Sequence, residues 1–215
     1  MKIPSPENRD EHIAQLRDGL TQLLEQPTAA QVRPCAGCSV RCACPAASIE
    51  CCCGCTTTCR DAGAQLSSEA DRYPIEHRVL PLVYGLATMR VVMPCWSCQG
   101  HPATRDGGCV KAPQIWFYSL SLVHVHLIGQ FVADAHAGRE LRHEWHVRTN
   151  PYSERNVPIF ILEPRMSAEE ITQRDCLNDI QHDLHHLGKD FEQRIRAFAA
   201  RELTKLESET RRECA

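Results

Sequence analysis

Apolar side chains recur at three- and four-residue intervals from Ile13 through Leu16, Leu20, Leu23 and Leu24. That period predicts an amphipathic helix over 9–25, ended before Pro27. Residues 26–34 form a polar, proline-bearing linker, and the segment from Pro34 to Cys59 has almost no large apolar side chain with which to build a core. A helical pattern resumes at Thr56 with Leu66 on one face and closes between Asp71 and Pro74, where the proline suits the first turn of a following helix. Ile75, Val79, Leu82, Val83 and Leu86 keep core spacing along that helix, 75–89, despite Pro81.

The pattern then changes. Short apolar and aromatic runs at 90–93 and 114–118 predict strands, separated by a loop containing Gly100, Pro102, Gly107 and Gly108. Leu120, Val123, Leu127, Phe131 and Ala135 form the stripe of a long helix capped by Ser119 or Ser121 and stopped by Gly138. Strands over 143–149 and 157–162 flank a loop with Asn150 and Pro151. Ser167 and Glu170 have the spacing of a capping box for a helix through Ile171, Leu177, Ile180, Leu184 and Leu187. Gly188 interrupts it, and Phe191, Ile195, Phe198 and Leu203 carry the helical pattern into a charged, fraying tail.

This order predicts an α+β fold, an antiparallel sheet with helices packed on one face, plus an N-terminal cysteine-rich metal-binding module. The divisions are a helix and linker at 1–33, the cysteine-rich module at 34–60, the α+β domain at 61–190 and a charged C-terminal helical tail at 191–215. That tail is the segment expected to pack on a second copy if the protein is a homodimer.

Composition narrows the function classes. With a formal charge of −3, the chain has no overall attraction for nucleic acid or an acidic membrane; nucleic-acid binding would need a local patch around Arg33, Arg41 and Arg60. Residues 1–15 carry charges and prolines where a secretory signal has an apolar run, and no stretch is long enough to span a bilayer. A cytoplasmic protein with no membrane partner is expected, and a protein is the expected partner.

Fourteen cysteines occur in 215 residues, nine of them between Cys35 and Cys59. Under reducing conditions clustered thiols point to metal before disulfide. The array reads Cys35-x2-Cys38-x3-Cys42-x-Cys44, then Cys51-Cys52-Cys53-x-Cys55-x3-Cys59. Such close spacings let neighbouring sulfurs reach one tetrahedral ion, and about two four-thiolate Zn2+ sites fit with one cysteine left over. Metal would supply the folding energy that the missing apolar side chains do not. An iron-sulfur cluster is the main alternative, although the spacing does not reproduce the common ferredoxin run, and copper(I) is a third.

A second constellation is Pro94-Cys95-Trp96-Ser97-Cys98-Gln99-Gly100-His101, followed by Cys109. Cys95, Cys98, His101 and Cys109 supply the four ligands of a closed structural zinc site. Without Cys109 the fourth position is open, giving an enzyme alternative in which metal-bound water is activated and Glu76 or His77 accepts the proton. A redox-active Cys-x-x-Cys pair would need a helix starting at Cys95, which Gly100 and Pro102 oppose. A nucleobase-deaminase zinc site needs a His or Cys two residues before an upstream Glu; Ser48 precedes Glu50 and Pro74 precedes Glu76, so that class is excluded.

The remaining histidines fit structural roles. His182 and His186 share a helical face with Asp179, but the simpler reading is a solvated polar face. His143, Glu144 and His146 lack the helical spacing of a metalloprotease. One of His124 and His126 is expected to be a buried, hydrogen-bonded core histidine. Trp116, Phe117 and Tyr118 read as core strand residues, and the C-terminal arginines alternate with glutamates as in an ion-paired, solvated helix. The leading expectation is an intracellular zinc-binding, cysteine-rich protein that acts as an interaction module or a metal reservoir.

Overall fold

A computed structural model describes residues 9–28, 75–76, 78–101, 111–151, 157–167, 169–170 and 174–213. The array from Cys35 to Cys59, the helical pattern at 56–74, His77 and Cys109 lie outside these residues. The elements are α1 (Arg9–Glu25), α2 (Leu80–Thr88), β1 (Val92–Cys98), β2 (Gln114–Ser119), α3 (Leu122–Ala137), β3 (Trp145–Asn150), β4 (Ile159–Pro164), α4 (Arg174–Gly188) and α5 (Phe191–Glu213). The strands make one antiparallel sheet in the order β1-β2-β4-β3. The protein is therefore α+β, with five helices and a four-stranded antiparallel sheet among the described residues.

Local sequence accounts for most of these boundaries. In β2, Ile115, Phe117 and Ser119 are buried while Gln114, Trp116 and Tyr118 are half-buried, the alternation imposed by the pleat. Of the two candidate caps, Ser121 holds α3: its Oγ accepts from the Val123 N–H at 3.2 Å. Ser119 instead donates its hydroxyl to the Ser121 carbonyl at 2.9 Å. The capping box forms as spaced, with Glu170 N–H donating to Ser167 Oγ at 3.2 Å and Ser167 N–H donating to Glu170 Oε2 at 2.8 Å. These bonds hold the Glu170 carboxyl below its usual pKa.

Two boundaries are corrected. The helix placed at 75–89 begins only at Leu80, because Pro81 occupies its first turn and the preceding residues turn around the Glu76 carbonyl. The strand placed at 90–93 runs on from Val92 to Cys98, taking in Pro94 and both cysteines. It is an edge strand, where proline is tolerated, and its register shifts between Pro94 and Trp96, leaving Cys95 at a bulge. The helical pattern from Phe191 holds as α5, and Phe191, Ile195, Phe198 and Ala199 are buried in the main core. Arg196 in α5 also donates to the Leu23 carbonyl at 2.8 Å and the Leu24 carbonyl at 3.3 Å, satisfying carbonyls that the end of α1 leaves open.

The core joins sheet to helices through Phe117, Trp145, Phe160 and Leu162 on the strands and Leu23, Leu86, Ile128, Leu184 and Phe191 on the helices. Ile159 and Ile161 are also buried but belong to the other side of the pleat, where Trp116 lies beside Ile161 and Trp96. Helix α4 seats directly on α2: a Cβ at Gly188 would lie 2.5 Å from Pro81 Cβ, so only glycine permits that approach.

His124 is the buried core histidine, with Nε2 donating to the Gly19 carbonyl at 2.9 Å and tying α3 to α1. Burial lowers its pKa from the ordinary 6.5, against that hydrogen bond, which raises it. Below pH 6.5 the unfolded chain then takes up a proton that the folded protein resists. The contribution is complete above 6.5 and is lost as the pH falls, so the urea midpoint of the wild type should drop more steeply between pH 7.5 and 5.5 than that of His124→Gln. Equal slopes would remove His124 as the cause.

Candidate metal centre

The turn that follows β1 is built to hold polar groups together. Gly100 has φ +82°, which favours glycine, and a Cβ there would meet Pro113 at 2.7 Å and Leu177 at 2.9 Å. Gln181 of α4 clamps the same turn by donating Nε2 to the carbonyls of Gln99 at 3.1 Å and Gly100 at 3.3 Å. His101 then pairs with Lys111 across the mouth of the loop, His101 N–H to Lys111 O at 2.9 Å and Lys111 N–H to His101 O at 3.1 Å.

Glu76 enters from the other side. Its Oε2 accepts the Gln99 N–H at 2.7 Å, and Gln99 Oε1 accepts the Arg78 N–H at 3.1 Å, so the segment before α2 and the turn after β1 lock reciprocally. This leaves Oε1 of Glu76 at 2.8 Å from His101 Nε2. The donor atoms of Glu76, Cys98 and His101 all lie within 4.8 Å of one another. Cys98 is buried, Glu76 half-buried and His101 exposed. The group thus opens to solvent on the imidazole side.

Burial, chiefly, raises the Cys98 thiol pKa; the Glu76 carboxylate adds to this, while a backbone hydrogen bond from Gly100 and the charge of Lys111 oppose it. A divalent ion reverses that preference, since a coordinated thiol loses its proton outright. One thiol, one imidazole and one carboxylate are donors that zinc accepts.

Cys98 and His101 are therefore brought together as the spacing anticipates, with Glu76 as the third donor. Cys95 is not in the group. It sits at the bulge as an exposed residue whose thiol hydrogen-bonds Tyr118, and desolvation pushes its pKa up to about 11. The Cys-x-x-Cys spacing brings both sulfurs to one ion when the backbone turns between them; in β1 the backbone is extended instead. Cys109 lies outside the described residues.

The other histidines find protein partners or solvent. His186 Nε2 lies 3.4 Å from Glu140, which Arg194 also engages, and His182 is exposed. Asp179 pairs with Arg142, and His146 is 3.9 Å from Glu163. Trp96 and Trp116 pack with centroids 5.0 Å apart, with Lys111 4.2 Å above the Trp96 ring. His143, which lacks the spacing of a metalloprotease ligand, precedes β3, and its ring lies between Asp183 and Cys176, two partners the sequence does not indicate. No helix among the described residues is long and apolar enough to cross a membrane. No protein-family model, curated protein or solved structure matches the chain.

Proposed function

We propose that this is a cytoplasmic zinc-binding protein, with one zinc centred on Glu76, Cys98 and His101 and further zinc in the array from Cys35 to Cys59. The observation that carries the reading is the convergence of carboxylate, thiol and imidazole donors within 4.8 Å, one of them buried. A mixed oxygen, sulfur and nitrogen set suits zinc, whereas an iron-sulfur cluster takes four thiolates and this group has one. The iron-sulfur alternative is then confined to the array. Cys109, eight residues past His101 in the sequence, is the proposed fourth ligand, and Glu76 takes the place first given to Cys95.

A closed site makes the role structural: the ion pins the loop after β1 to the segment before α2, and the protein acts as an interaction module or a metal reservoir. If Cys109 does not ligate, water occupies the fourth position and the enzyme alternative gains support.

Elemental analysis of untagged protein, purified anaerobically, tests this directly. About three zinc ions per chain are expected, two in the array and one at the centre. Cys98→Ser should lose one ion and Cys95→Ser none. Full metal content in Cys98→Ser would sink the centre, and loss in Cys95→Ser alone would return the site to the cysteine pair. Iron with sulfide would move the array to redox chemistry.

A further inference from the structure

Cys176 has no role in the metal centre, yet its surroundings are specific. Its Sγ lies 3.4 Å from His143 Nε2, and the opposite ring nitrogen, Nδ1, lies 3.4 Å from Asp183 Oδ2. Asp183 is fully buried and is held by the backbone N–H groups of Arg142 and His143, each at 2.9 Å. The His143 side chain is only 16% exposed, so the ring has little freedom to leave this line. With Nδ1–H directed to the carboxylate, Nε2 presents its lone pair to the thiol.

We infer that Cys176 is a nucleophilic thiol served by His143 as general base, with Asp183 positioning the imidazole, and that it accepts an acyl group from an uncharged ester or thioester. A nucleophile, a base within hydrogen-bonding reach and a third group orienting the base are the arrangement that acyl transfer requires. In the first step Sγ bonds to the carbonyl carbon and the thiol proton passes to Nε2. The carbon–oxygen or carbon–sulfur bond to the leaving group then breaks, and Nε2 returns the proton to that group. Water, deprotonated by the same nitrogen, hydrolyses the acyl-cysteine and restores the thiol. No oxidation change occurs.

The charges around the pair decide how the thiol is used. Desolvation first, then the carboxylates of Glu170 and Asp179, raise the Cys176 pKa. Asp179 is partly offset by its partner Arg142, and Asp183 faces the far side of the ring. These anions disfavour a free thiolate, so the proton should move to His143 during attack rather than before it. They also disfavour an anionic acyl donor.

The test uses the full-length protein and p-nitrophenyl acetate, following p-nitrophenolate release and locating acetyl-cysteine by peptide mass spectrometry. Cys176 should be acetylated faster than the exposed Cys95, and Cys176→Ser should lose that phase. His143→Gln should slow it by about 100-fold with an unchanged circular dichroism spectrum. The wild-type rate should depend on pH in a way that His143→Gln lacks. Acetylation of Cys176 no faster than Cys95, or unaltered by His143→Gln, would overturn the inference. So would protection of Cys176 by added zinc that a chelator reverses, because the pair would then be metal ligands.

Discussion

Asp183→Ala should destabilise the folded protein by about 3–5 kcal/mol, the cost of removing one partner from a buried, hydrogen-bonded charge network. The carboxylate is fully buried and meets three donors besides the His143 ring: the Arg142 and His143 amides, and Trp145 Nε1 at 3.4 Å. Alanine leaves all three facing a cavity. Each buried donor so orphaned costs about 1–3 kcal/mol, although relaxation and entering water keep the sum below simple addition. In a chain of this size the loss corresponds to a fall of roughly 10 °C in thermal midpoint, readable by a circular dichroism melt. A fall of only a degree or two would mean that water substitutes for the carboxylate and that the loop before β3 is held by other contacts.

Phe191→Ala should cost a similar amount, about 3–5 kcal/mol, for a different reason. Phe191 is 1% exposed, and its ring meets Phe131 edge to face with centroids 5.5 Å apart. It is also the first residue of α5 and lies against Gly85 of α2, so it fills the space where α2, α3 and α5 meet. Truncation removes the transfer energy of the ring and opens a cavity that these helices cannot close without moving the sheet. Urea unfolding gives the loss directly. Phe191 packs on Gly85 and Phe131, so the proposed zinc content below the midpoint should not change; a loss of both together would show that α5 and the Glu76–Cys98–His101 group fold as one unit.

Helical period made α1, α3 and the core stripe of α4 legible, and Ser167 with Glu170 was readable from spacing alone. The β1 strand was cut short at Met93 because proline ordinarily interrupts a ladder; only its position at the sheet edge, which no local pattern reveals, lets Pro94 and the bulge stand within it. The turn after β1 brings Cys98 and His101 together and leaves Cys95 apart, because the motif gives residue types without the backbone conformation that aims them. Glu76 was named only as a guess at a base, since what places it is a bond to the Gln99 amide 23 positions away. Cys176 and Asp183 lie two turns apart on α4, but His143 is 33 residues before Cys176, and the three join only when α4 packs beside the segment before β3.

Two side chains of α4 reach in different directions. Gln181 grips the turn at the end of β1, and Asp183 grips the approach to β3. Positions two apart on a helix do not face the same way, and β1 and β3 are the two outer strands of the sheet. A single helix is thus tied to both margins of the sheet, like a strut across a frame, and restrains one margin from shearing against the other. The Glu76–Cys98–His101 group lies by one side of that strut, next to the turn that Leu177 and Gln181 contact, and the thiol–imidazole pair lies by another, where Cys176 and Asp183 meet His143. A movement of α4 at either place is therefore felt at the other through one short stretch of helical backbone.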